Sequence, residues 1–179
     1  MTSGANTLGH RQNGFSLIEV LVALVVIAIG LLGIAKMQVL ALTETANASR
    51  RSIAAIEAAS LAASMHANND YWASGFAPTN FTVTGTNISD HTLSQSVNCD
   101  NGAQCTAAQL AAYDVQQWAE ELVSVVPNPS STIGCTNTPG VPVVCSIEIS
   151  WSEQQTGINQ QGSSGPQMQA PTYILHVEP

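Results

Sequence analysis

The feature that most constrains this chain is an apolar run of 21 residues, Phe15 to Ala35, whose only polar members are Ser16 and Glu19. A helix of that length crosses a hydrocarbon core. Glu19 is out of place there, since a carboxylate at the centre of a span costs about 2.5–3.5 kcal/mol on insertion scales, and such residues commonly have a specific partner. An anchor alone would be better served by leucine. The segment before the run, MTSGANTLGHRQNG, is polar and has Arg11 as its fixed cation. Basic residues flanking a first span favour the cytoplasmic side, so everything after Lys36 is expected on the other face of the membrane.

Charge limits the partners of that outer portion. The four Lys and Arg residues are Arg11, Lys36, Arg50 and Arg51, so residues 52–179 contain none. The same residues hold ten Asp and Glu, a formal charge of −10 with histidines neutral. Nucleic-acid affinity rests on Lys and Arg releasing counterions from phosphate, so no nucleic-acid partner is expected. The acidic balance is read as a device for solubility.

All four cysteines lie on the outer side, in two locally spaced pairs, Cys99 with Cys105 and Cys135 with Cys145. An even number in an exported domain points to disulfides, and four cysteines permit three connectivities that sequence does not choose between. The local pairings are the expected ones. A four-thiolate zinc site is disfavoured, because no C-x-x-C knuckle is present in a compartment expected to be oxidising.

Three fates of the N-terminus have to be weighed. A secretory signal would be cut after the apolar run, for instance at Val39–Ala41, and a plain signal-anchor would be kept whole. Neither explains Glu19. A cut before the run, between Gly14 and Phe15, would give Phe15 a free amine able to meet a carboxylate.

Gly14-Phe15-Ser16-Leu17-Ile18-Glu19 ahead of an apolar helix resembles the class III signal of type IV pilins and type II secretion pseudopilins. The resemblance implies cleavage after Gly14 by a prepilin peptidase and N-methylation of Phe15. It also implies a role for Glu19 in filament assembly, its charge met by the N-terminal amine of a neighbouring subunit. An opposite charge within a few ångströms strongly favours the paired state where the dielectric is low. One departure stands out: Gln12 and Asn13 occupy places where such leaders often carry a basic pair.

Beyond the run, Lys36 to Met65 contains no proline or glycine, so the helix is expected to continue for about fifty residues, or roughly 75 Å. Leu42, Ala46, Ser49, Ile53, Ile56, Ser60 and Ala63 recur at helical spacing and are expected to lie on the head, with Arg50 and Glu57 at the border of that stripe. A polar segment then runs to about Ala103, with Phe81–Thr84 as its one strand. Thr106 and Gln109 fit a capping box that opens a second helix, whose buried face is Ala111, Val115, Trp118, Leu122 and Val125 and which Pro127 ends. Alternation of Val143, Cys145, Ile147, Ile149 and Trp151 marks a half-buried strand, flanked by candidates at 131–136 and 172–178. The Gln- and Gly-rich stretch 154–171 reads as a long solvated loop.

CTAAQLAAYDVQQWAEEL, SIEISWSE and the terminal YILHVEP resemble the PilV type of minor pilin. That likeness implies the α+β type IV pilin fold, a long N-terminal helix on a C-terminal antiparallel sheet with a further helix near 106–126. It implies a division into a leader (1–14), a membrane and filament-core helix (15–35), a helix packing on the head (36–66) and a periplasmic head (67–179). The function it implies is priming or capping the type IV pilus. The partners it implies are other minor and major pilins, the prepilin peptidase, the inner-membrane assembly platform, a large tip adhesin and the bilayer. The rivals are a type II secretion pseudopilin and, from another class, an unprocessed membrane-tethered binding module.

No G-x-S-x-G, Walker loop, HExxH or G-x-G-x-x-G occurs, and His66, His91 and His176 lack metal-ligand spacing. The chain is therefore expected to be neither an enzyme nor dependent on a cofactor or metal.

Overall fold

The computed structural model describes residues 14–100, 103–138, 140–155 and 167–179. The chain divides into two compact units, residues 1–42 and 43–179. Helix α1 (Leu17–Ala67) supplies the described helix of the first unit and opens the second. In the first unit its apolar side chains are exposed on all sides, among them Leu17, Leu24, Val26 and Leu32. An apolar window there has a mean hydropathy of 3.0, enough to cross a membrane by length and composition. Leu, Ile, Val and Ala sustain the helix, whose backbone bonds close on themselves as hydrocarbon requires.

The second unit is an α+β domain. After α1 come α2 (Asn69–Trp72), β1 (Asn80–Thr84), β2 (Asn87–Ile88), α3 (Ala107–Val125), β3 (Ser130–Cys135), β4 (Cys145–Ser150), β5 (Glu153–Gln155), β6 (Gln167–Gln169) and β7 (Thr172–Val177). The main sheet has the order β2-β1-β3-β4-β7 and every pairing is antiparallel. Register aligns Phe81, Ile133, Ile147 and Leu175 in one row, and Val83, Ser131, Ile149 and Tyr173 in another. Because side chains alternate across a sheet, these rows share one face. They join a single core with Ala54, Ala58, Leu61 and Met65 of α1 and Val115, Trp118 and Leu122 of α3. Thr82, Thr132, Glu148 and Ile174 form the corresponding row on the other face.

Helix α3 forms as its sequence dictates. The Thr106 hydroxyl accepts from the Gln109 backbone N–H while the Gln109 side chain accepts from the Thr106 N–H, so two otherwise orphaned donors are satisfied. Its expected buried face is observed, with Ala112 and Ala119 added and Val125 only partly covered. The strands expected at 81–84, 131–136, 143–151 and 172–178 appear as β1, β3, β4 and β7.

Three expectations need correction. The stripe on α1 is turned: Ala46, Ser49, Ser60 and Ala63 are exposed, as are Leu42 and Ile56, and Ile53 is half-buried. The face that packs is Ala54, Glu57, Ala58, Leu61, Ala62 and Met65. Alanines at 54, 58 and 62 let the helix backbone approach the core closely, and that close packing outweighs burial of the single large side chain Ile56. The polar segment after residue 68 contains α2 and β2 besides its one expected strand. Finally, the ends of the Gln-rich stretch are ordered: Glu153, Gln154 and Gln155 of β5 pair with Gln169, Met168 and Gln167 of β6. The middle of that stretch, residues 156–166, and most of the leader, residues 1–13, lie outside the described residues.

Candidate functional site

Two regions carry features that core packing does not account for. One is the start of α1. Gly14 precedes the helix and is exposed, and a methyl group added to it would meet nothing within 4 Å. Phe15 is 83% exposed, an unusual state for an aromatic at a free surface. Glu19 lies in the first helical turn, where the backbone N–H groups of Glu19 and Val20 donate to the Ser16 carbonyl at 3.0 and 3.3 Å. A carboxylate is favoured at that end of a helix by the macrodipole. Ser16 and Glu19 also stand at the S-x-x-E spacing that marks a helix start, so the position suits an acid on local grounds as well.

The other region is the helical side of the head. Trp118 of α3 donates its indole N–H to the Glu57 backbone carbonyl of α1 at 2.9 Å, fixing the two helices side by side. Asn68 closes the end of α1 and donates its side-chain amide to the Ala107 carbonyl at 2.8 Å, which ties that end to the start of α3. Further back on α1, Arg51 donates to both oxygens of Glu153 on β5. The guanidinium holds the Glu153 carboxyl below its ordinary value, with the Trp151 indole N–H adding to the effect against the opposing cost of burial.

Between α1 and α3 runs an open groove of about 380 Å³ lined by Ile56, Glu57, Ser60, Asp114, Trp118 and Glu121, among others. Burial, and then the nearby Glu121, pushes the Glu57 carboxyl up. Burial does the same to Asp114. Tyr71, a buried residue of the short helix α2, is pushed to about 12 by burial and then by Asp90, and stays neutral in the core.

Both cysteine pairs are bridged, Cys99 to Cys105 and Cys135 to Cys145. The second bridge joins residues that face each other in the β3–β4 register. His66 and His176 are exposed and distant in sequence from any ligand set. Among the described residues, no group of three or more His, Cys, Asp and Glu could hold a metal ion.

The sequence singles out Gly14, Phe15 and Glu19 as expected site residues, and its expected local cysteine pairs are the ones bridged in the structure. Sequence reasoning missed Asn68, the Arg51–Glu153 pair and the place of Glu57 in a groove, because each depends on which elements meet across long sequence separations. The one available signal was Glu57 on the border of the α1 stripe.

Residues 9–35 match the family model described as the prokaryotic N-terminal methylation motif. No curated protein and no solved structure matches the chain significantly. The matched segment contains Gly14, Phe15, Glu19 and the apolar part of α1, and it fits anchoring in a membrane through that helix. It points to a structural protein, for which the signal implies processing by a prepilin peptidase and assembly with pilins. The chain thus carries at its N-terminus the methylation motif of type IV pilin-like proteins, a group that takes in pilins and pseudopilins alike.

Proposed function

We propose that this protein is a minor pilin of the PilV type, cut after Gly14 and N-methylated on Phe15. It primes or caps a type IV pilus together with other minor pilins. The observation that carries the reading is Gly14-Phe15 with Glu19 at fixed offset, at the start of a helix whose large apolar side chains from Leu17 to Ile34 are exposed. In hydrocarbon the free amine of one subunit's Phe15 neutralises Glu19 of its neighbour, so the cost of an unpaired carboxylate becomes a preference for docking in register. Residues 1–14 are then the leader, 15–35 the membrane and filament-core helix, 36–66 its continuation and 67–179 a periplasmic head. The head is held on the inner membrane by a single span until the assembly platform extracts it. A large tip adhesin is the further partner of such a complex.

Intact mass of the protein purified from its native membranes tests this. The expected species begins at Phe15 and is heavier by one methyl group. A species retaining Met1–Gly14 would overturn the reading in favour of an unprocessed tethered module. Co-purification separates the pilus from its rival: pilus subunits are expected with it, and components of a secretion machine alone would assign it as a pseudopilin.

A further inference from the structure

Glu57 is an anomaly in the head. Its residue exposure is 8%, it lines the groove between α1 and α3, and its carboxylate has no hydrogen-bond or ion-pair partner among the described residues. A carboxylate on a residue this well covered is normally paired, because partial removal from water without compensation is costly, and the Glu57 oxygens open into the groove. Asp114 and Glu121 line the same groove and add charge of the same sign.

Among the described residues of the head, no cation pairs with Glu57. No Lys or Arg follows Arg51 in the sequence. Arg51 is engaged by Glu153, and Arg50 donates to the Asn47 side chain at 3.2 Å. Since the acidic side chains of the described residues do not assemble into a metal-binding group, a metal ion is a poor substitute. A countercharge brought by another molecule would pair the carboxylate where water alone now meets it. Beside Glu57, Ile56 stands 65% exposed at the groove although it belongs to the helix that carries the core face. An anionic cleft with an apolar wall fits a side chain with an aliphatic stem and a cationic head.

We infer that this groove docks a partner protein that inserts a Lys or Arg side chain against Glu57, with an apolar neighbour of that residue seated on Ile56. A second copy of the chain is a poor occupant, because residues 52–179 of each copy carry a formal −10 and no Lys or Arg, and like charges repel. The inference goes beyond the assembly role proposed for Phe15 and Glu19 and does not use either residue. A mass beginning at Phe15 would leave it open to failure on its own, and the reverse holds too.

The test places the photo-crosslinker p-benzoylphenylalanine at position 56 of the full chain in its native host, with the crosslinked peptide identified by mass spectrometry. The expected product joins one partner protein through a peptide that contains Lys or Arg. Glu57→Gln combined with Glu121→Gln is expected to lower its yield at least about tenfold. Glu57→Lys is expected to lose the product and to regain it when the partner's basic residue is changed to Glu. Should the Glu57 variants fail to fold, exposed Glu121→Lys alone is expected to reduce the yield several-fold. An unchanged yield in the charge variants, a peptide without Lys or Arg, crosslinks only to a second copy or to lipid, or no crosslink would each overturn the inference.

Discussion

Arg51 on α1 grips Glu153 on β5 with two donors, its Nε lying 3.3 Å from Oε1 and its Nη2 3.0 Å from Oε2, across 102 positions of sequence. The side chains differ sharply in setting, Arg51 being 62% exposed and Glu153 only 5%. The Trp151 indole N–H adds a third donor at 2.9 Å. Glu153→Gln keeps the shape but loses the charge, and is expected to cost about 1 kcal/mol of head stability, since charge-assisted bonds become neutral ones and the exposed partner keeps the loss small. Arg51→Lys is expected to lose part of the benefit and Arg51→Ala more, because lysine cannot make the two-point contact. Because the folded-state value of Glu153 is lowered, the unfolded chain binds the proton first. Its contribution is present above the ordinary value of 4.5 and is lost as pH falls through the folded-state value, and urea melts across the acid range check this.

Glu57 has the opposite sign. Burial and Glu121 raise its value, so the folded state holds the proton more tightly than the unfolded chain and the ionised form opposes folding at neutral pH. Glu57→Gln is expected to raise the melting temperature at pH 7. That gain is expected to shrink as pH falls through the raised folded-state value and wild-type Glu57 protonates. A variant less stable than wild type at pH 7 would show that the carboxylate is satisfied in solution.

Trp118→Phe removes the indole N–H that joins α3 to the Glu57 carbonyl, which keeps its helical donor within α1. A loss of about 1–3 kcal/mol is expected, from one lost inter-helix hydrogen bond and a smaller ring in the core. Trp118 reads from sequence as a core aromatic, and its hydrogen bond shows that it also sets the spacing of the helices that form the groove. Denaturant melts followed by far-UV circular dichroism check the magnitude.

Cys135→Ser with Cys145→Ser is expected to cost about 2–3 kcal/mol, the loop-closure entropy of a short loop. The bridged positions are ten residues apart and face each other across β3 and β4, both buried. The loss is expected to exceed that from breaking Cys99–Cys105, whose Cys105 flanks an exposed loop ahead of α3. Calorimetry of each double variant measures the difference.

Gly14→Ala leaves room for its methyl group in the folded chain, so any defect is a defect of recognition by the peptidase. Accumulation of the long form is expected, with head stability unchanged. Glu19→Ala sits on an exposed turn of α1 and is expected to be cut and inserted normally yet lost from the pilin complex in pull-downs. Full incorporation of that variant would show that the carboxylate is dispensable.

What the sequence by itself determined is whatever depends on neighbours along the chain. The apolar run with its acid, the Thr106–Gln109 box and the two-residue alternation of β4 and β7 are local patterns, and each is read at short range because helix and strand periods are properties of the backbone. Tertiary structure alone decided the rotation of α1, which alanine packing sets against the pull of Ile56. It alone decided the pairing of β5 with β6 within a Gln-rich stretch, where composition signals a loop but cross-strand bonding supplies order. It also decided that Arg51 meets Glu153 while the Glu57 carboxylate has no partner among the described residues. Electrostatic partners are chosen by distance in space, and sequence spacing records that distance only within a helical turn or a strand pair.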